Sequence, residues 1–314
     1  MGFIMKSCIF SAALAAAAFA ATGAAAAVLP TSCPVEYAGG TAPDLVNRKL
    51  GDKLRELCYS QFSVYHSGIT ATPLFVAQRL SADLVAQAKR IDRDDVFHTE
   101  TRLPRSERAE LSHYRSSGFD RGHMAPAADM ATKQSQDESF SLANMIPQKP
   151  SLNRKGWADI EETTRKLASG YGEVYVVSGP VFSGAKLSRI GGRVIVPTAV
   201  YKAVYVPSTG QSSAWWADNA TGGMEVVSID ELSARIGADV FPAVPAASKS
   251  ALVGLPLPAD AKGVDTLSVT AAVGDDAGES PREASDPSPE TWWDYALAIL
   301  IAVLEAVVRL VWRG

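Results

Sequence analysis

Ser117-Gly-Phe-Asp-Arg-Gly-His-Met-Ala-Pro-Ala-Ala-Asp129 places one imidazole, His123, directly after Asp120, Arg121 and Gly122. An unperturbed imidazole titrates at about pH 6.5, so His123 can take up a proton under ordinary working conditions. Taken alone, a histidine beside Asp and Arg is more often a hydrogen-bonded structural residue than a base. The second block, Asn144-Met-Ile-Pro-Gln-Lys-Pro-Ser-Leu-Asn-Arg-Lys-Gly-Trp-Ala-Asp-Ile-Glu161, reverses that balance. It enters a helix expected from Asn153 to Ala168, on which Trp157, Ile160, Thr164 and Leu167 recur at helical spacing. Trp157 and Glu161 follow Asn153 on one face, and Arg165 lies a further turn on. An amide oxygen at Asn153 suits a hard cation that keeps most of its waters, as Mg²⁺ prefers, with Glu161 orienting one of them and Arg165 reaching a phosphate. Without the first block, Asn153 would read as a simple helix cap. Together the blocks supply a base, a cation site and a phosphate clamp, which are the requirements of phosphodiester hydrolysis.

Working outward, the chain has 314 residues, 47% of them hydrophobic, enough for a real core. Its formal charge of −4 looks wrong for a nucleic-acid partner, yet residues 257–290 alone hold eight acids against two bases. The remainder is near +2, so a local basic groove is compatible with the acidic total. Strand-like runs occur at 63–65, 74–77, 174–178, 194–197 and 201–206, and a further helix is expected over 135–142. The mixture predicts an α+β domain over residues 28–256.

Residues 1–27 have the layout of a cleavable export signal: Lys6, an apolar run from about Cys8 to Ala20, then Ala25-Ala-Ala27. Cleavage leaves Cys33 and Cys58, which in an oxidising compartment are expected to form a disulfide. Residues 257–290, rich in Pro, Asp, Gly, Ala and Ser, read as a disordered acidic linker. It leads to a hydrophobic helix over 291–314, whose length, Trp292 and Trp312 suit a bilayer core. Asp294, Glu305, Arg309 and Arg313 nevertheless fall on one side of it. Three placements compete: a spanning helix paired along that stripe, a helix lying in the interface, and a helix docked on a partner protein. Spanning is favoured, because Glu305 and Arg309 can neutralise each other and Arg313 would sit on the cytoplasmic side. The expected location is therefore the periplasm or another extracytoplasmic space, anchored at the inner membrane.

The two blocks resemble the DNA/RNA non-specific endonucleases, which include mitochondrial endonuclease G and secreted bacterial nucleases. The resemblance rests on Asp120 to Asp129, on Asn144-Met-Ile-Pro-Gln148, and on Asn153 with Trp157 and Glu161 at the family spacing. It extends over about residues 33–245, including Thr72 to Leu80, Val176 to Phe182 and Val196 to Lys202. It implies the ββα-metal (His-Me finger) fold, with a central mixed or antiparallel sheet flanked by helices. It also implies that His123 is the general base, Asn153 the sole direct protein ligand to Mg²⁺, and Glu161 an anchor for water around the ion, with Mn²⁺ able to substitute. Arg121 and Arg165 would contact phosphate oxygens, Asp120 would orient the site, and Asn144 would support its geometry. A looser match puts Arg93 at the phosphate as well. One departure stands out at Glu100, where an Asp is more usual, and it touches only a loop contact. DNA and RNA are the expected substrates, since contacts to phosphate carry no base or 2′-hydroxyl information. A homodimer is compatible with the family and with the polar stripe.

Rival readings are weaker. A binding module that has lost catalysis would not be expected to keep a competent residue at every one of these positions. A serine or zinc hydrolase lacks its signatures: there is no Gly-x-Ser-x-Gly elbow or His-Glu-x-x-His pair. His66, His98 and His113 are scattered singly and read as surface or structural residues. Trp215-Trp216 can stack bases, but adjacent aromatics beside a turn more often pack.

Overall fold

Residues 27–255 are described by a computed structural model. The central sheet has seven strands, in the order Met224–Val227, Gln211–Asp218, Ala199–Val206, Glu173–Val181, Thr72–Ser81, Ser63–Ser67 and Leu54–Cys58. Every neighbouring pair is antiparallel, which narrows the expectation of a mixed or antiparallel sheet. The middle strands read as almost continuous apolar runs because both faces are covered. Val176, Val200 and Val204 join one core, with Trp157, Ile160 and Ala168 from the helix Trp157–Tyr171. Val177, Tyr201 and Ala203 face the other core, which Tyr37, Leu232 and Phe241 complete.

Against this frame stands a separate two-stranded ribbon, Asp120–His123 paired antiparallel with Met145–Gln148. The register sets Asp120 opposite Gln148 and His123 opposite Met145. Gly122 has no side chain where one would collide, since an added Cβ would stand 2.1 Å from Gln148 Oε1 and 2.7 Å from Gln148 Cβ. The ribbon and the helix beginning at Trp157 give a ββα unit. Ahead of that helix, Leu152–Gly156 forms a π turn rather than the first α turn expected there, and Asn153 sits within it. Such widened turns occur frequently at functional sites.

Other boundaries move for local reasons. The helix expected at 135–142 spans Lys133–Ser139, because Thr132 caps its start by accepting from Ser135 N at 3.0 Å. The run at 194–197 yields only the two-residue strand Val194–Ile195, paired with Arg189–Ile190; Pro197 has no N–H to extend it.

A disulfide joins Cys33 to Cys58, with Cα atoms 5.8 Å apart across 25 residues of sequence. It ties the N-terminal segment to the edge strand, and a loop of that size stabilises by about 3 kcal/mol on the chain-entropy model. Among the described residues no helix is long and apolar enough to cross a membrane. The expected linker at 257–290, the expected helix at 291–314 and all but the last residue of the expected export signal lie outside the described residues.

Candidate active site

The ribbon and the π turn meet around a cavity of about 320 Å³, lined in part by Arg93, Asp120, Arg121, His123 and Asn153. Two sequence blocks thirty residues apart therefore share one wall. The local chain explains each placement. Asp120 accepts from Asn153 Nδ2 at 3.0 Å and from both Nε and Nη2 of Arg154 at 2.8 Å. Only the NH₂ end of an amide can donate to a carboxylate, so this bond fixes which way Asn153 faces and leaves its Oδ1 available to a cation. Burial pushes the Asp120 carboxyl up, but the hydrogen bonds from Arg154 and Asn153 outweigh it and hold the group below the usual carboxylate range. A single neutral oxygen beside an ionised carboxylate is a donor set that fits a strongly hydrated divalent ion such as Mg²⁺.

His123 is almost fully enclosed. Its ring meets Phe140 edge-on at 5.1 Å between centroids and lies 5.7 Å from Phe97. Its carbonyl accepts from Trp157 Nε1 at 3.3 Å, which locks the ribbon to the helix. Burial first, then the positive charge of Arg93, pushes the imidazole down to about 3. The ring is therefore neutral, the form that can accept a proton, throughout the physiological range. Phosphate entering the cavity would offset Arg93 and Arg121 and raise that basicity. The acid limb of kcat/KM, which reports the free enzyme, is thus expected at lower pH than the acid limb of kcat, which reports the complex. Coincident limbs in a pH–rate series would contradict this.

The cations differ in their freedom. Arg121 lies over the Phe97 ring at 4.0 Å and forms no salt bridge among the described residues. Arg93 is paired with Asp95 at 2.5 Å, and Arg154 with Asp120. Arg165, expected at the phosphate, is not among the cavity-lining residues; its Nη1 donates to the buried carboxylate of Asp129 at 3.0 Å. Asp129 also accepts from Gln78 at 2.7 Å. Glu161, half-buried, is not among the cavity-lining residues either; it lies in the field of Lys202, Asp129, Arg165 and Arg93, and burial pushes its carboxyl up. Asn144 is wholly buried and braces the site from beneath: its amide donates to Ala125 O at 2.8 Å and Ser139 O at 2.9 Å, and its Oδ1 accepts from Ala125 N at 2.9 Å.

Sequence reasoning carried Lys202 only as part of a strand segment. The structure buries it in the central strand, where Nζ donates to Ser178 Oγ at 2.9 Å and to the carbonyl of Met124, next to His123, at 3.3 Å. An ammonium amid apolar strand residues is rare enough to have been a signal. Glu100 proves to be a deep anchor, accepting from Tyr59 Oη at 2.6 Å and from Arg102 Nη2 at 2.8 Å. Burial raises its carboxyl, and these bonds overcome that and hold it at about 2. The remaining histidines have structural partners: His66 meets Glu107 O, His98 meets Asp137 O, and His113 Nδ1 accepts from Glu110 N. Trp215 is fully buried and Trp216 lies beneath the Arg235 guanidinium, so the pair packs.

The sequence profile of the DNA/RNA non-specific endonucleases matches residues 44–247, well over half of the chain. The chain belongs to this family. It is 37% identical over 155 residues to nuclease C1 of Cunninghamella echinulata var. echinulata, covering 46% of this chain and 62% of that protein. To mitochondrial endonuclease G of Bos taurus it is 33% identical over 199 residues, covering 60% of this chain and 66% of that protein. The chain thus spans less than two thirds of the length of these curated relatives. Among solved structures it resembles one described as the crystal structure of the EndoG/EndoGI complex, with a TM-score of 0.55 at 28% identity, covering 60% of this chain and 84% of the other. This likeness agrees with a ββα-metal endonuclease fold for the α+β domain.

Proposed function

We propose that this member of the non-specific endonuclease family is a Mg²⁺-dependent endonuclease that hydrolyses phosphodiester bonds of DNA and RNA alike. The observation that carries the reading is the bond from Asn153 to Asp120 on the wall that also holds His123. It supports the reading because an amide oxygen of fixed orientation, able to hold a cation, then lies on the same wall as a neutral imidazole. Asn153 Oδ1 would hold the ion, which when bound supplies positive charge at the scissile phosphate and its leaving oxygen.

The chain's own residues do the rest. Nε2 of His123 is enclosed without a partner, so the nitrogen open to the cavity is Nδ1, and Nδ1 takes the proton from the attacking water. Arg121, held over Phe97, and Arg93 bind phosphate oxygens through charge-assisted bonds. Asp120 holds the Asn153 amide and Asn144 supports the turn after His123. Glu161 orients water around the ion, and Arg165 acts through Asp129, fixing the charge next to Glu161. None of these contacts reads a base or a 2′-hydroxyl, which is why both nucleic acids should serve. Mn²⁺ is expected to substitute for Mg²⁺.

The setting we propose is extracytoplasmic, with export directed by residues 1–27 and attachment to the inner membrane through residues 291–314, where pairing of two such helices would give a homodimer. The Cys33–Cys58 disulfide supports an oxidising compartment. Purified protein is expected to nick supercoiled plasmid and degrade RNA in Mg²⁺, and to do neither in EDTA. Undiminished cleavage in EDTA, or attack on only one of the two polymers, would overturn the reading.

A further inference from the structure

The catalytic cavity does not end at Arg121. A second cavity of about 620 Å³ adjoins it, and the two have Asp95, Phe97 and Arg121 in common, so they form one continuous groove. The walls differ in chemistry. Around His123 the lining is mostly charged, as a phosphate requires. The second cavity is lined by Val96 and Leu111, which are 54% and 41% exposed, together with the mostly buried Tyr114. Exposed aliphatic side chains in a concave site are an unusual use of surface, and such a site suits a ligand with an apolar face. Arg115 stands at the same cavity, so the apolar wall is flanked by cations at Arg115 and Arg121. Asp95, the acid shared by both cavities, is paired with Arg93.

A polynucleotide matches this alternation. Its phosphates need the cations, and its bases are its only parts with broad apolar faces. We infer that the second cavity is a nucleobase subsite, holding the unstacked base of the nucleotide next to the scissile phosphate while Arg115 and Arg121 hold the flanking phosphates. This rests on the endonuclease reading above and extends it to the form of the substrate. The base is gripped by its face, a contact available to every base, so the subsite adds affinity without sequence preference. A base stacked within a duplex cannot enter, so single-stranded and locally opened strands are the preferred substrates.

The test uses the full protein in Mg²⁺ and two oligomers of equal length, oligothymidylate and its abasic tetrahydrofuran counterpart, which keep the same phosphates. The thymidylate is expected to be cut with kcat/KM about tenfold higher. In Leu111→Ser, a substitution at a partly exposed position, the ratio between the two oligomers should fall toward one. Equal rates in the parent protein would overturn the subsite while leaving the endonuclease reading intact. A tenfold preference unchanged in Leu111→Ser would also overturn it, because the base would then be held elsewhere. Failure to cut either oligomer would defeat both the subsite and the reading on which it rests.

Discussion

His123→Ala is expected to lower kcat by about 10²- to 10⁴-fold, the range associated with a positioned general base. Substrate binding should change little, because Arg93 and Arg121 remain to hold phosphate. The size of the effect follows from the surroundings. Phe97 and Phe140 hold the ring against rotation, and Trp157 Nε1 fixes the backbone that carries it. Burial and Arg93 keep it neutral. Among the described cavity-lining residues no other histidine is present to take over the proton. The carboxylates on that wall, Asp95 and Asp120, are each committed to an arginine. A variant retaining more than about a tenth of the parent kcat, with its thermal unfolding unchanged, would remove His123 from the role of base.

Gly122→Ala is expected to damage the site without touching any group that meets substrate. Its new methyl would stand 2.1 Å from Gln148 Oε1 and 2.7 Å from Gln148 Cβ. Rotation of the Gln148 side chain relieves the first contact but not the second, so the two strands of the ribbon must part. Overpacking of this kind costs about 1–3 kcal/mol. Gly122 precedes His123, and its strand partner is Ile146, two residues from Asn144. Separation therefore moves His123 relative to Asn153, and a displacement of about 1 Å can cost on the order of 100-fold in rate. Denaturant unfolding and turnover should fall together. A variant with parental stability and parental turnover would mean that the ribbon is not held in this register.

The sequence made the chemistry more legible than the framework carrying it. His123 and Asn153 stood out because the Asp120-Arg-Gly-His block is followed by Asn153, Glu161 and Arg165 along one helix, and because both blocks resemble the endonuclease family. The central strands were visible in part: Val174 to Ser178 and Tyr201 to Val206 are β-branched and aromatic runs, and each lies within a longer strand. The ribbon itself was not visible as strand. Asp120-Arg-Gly-His and Met-Ile-Pro-Gln148 show no alternation and contain Gly and Pro, and their strand geometry comes from mutual pairing and burial rather than from propensity. Gln211–Asp218 escaped notice because serines and glutamine fill its first positions. The π turn at Leu152–Gly156 has no sequence signature comparable to a helix cap. The partner of Arg165 could not be foreseen either, since Asp129, Gln78 and Arg165 are distant in the chain and meet only when the helix packs on the sheet. The Val96 and Leu111 wall was hidden for the same reason: isolated apolar residues in loop-rich sequence become a surface only once the chain has folded.

Asn153 carries the claim that a metal ion and a histidine base share this cavity, and a Mg²⁺ titration of plasmid nicking by the parent protein and Asn153→Ala tests it most directly. Loss of a group that merely supports a metal ligand costs 10- to 100-fold in affinity or activity, so loss of the sole protein ligand should cost at least about 100-fold. The account predicts that the parent saturates with Mg²⁺ while Asn153→Ala, still folded, stays far below the parental rate at the same concentrations. Superimposable titration curves for the two proteins would contradict it.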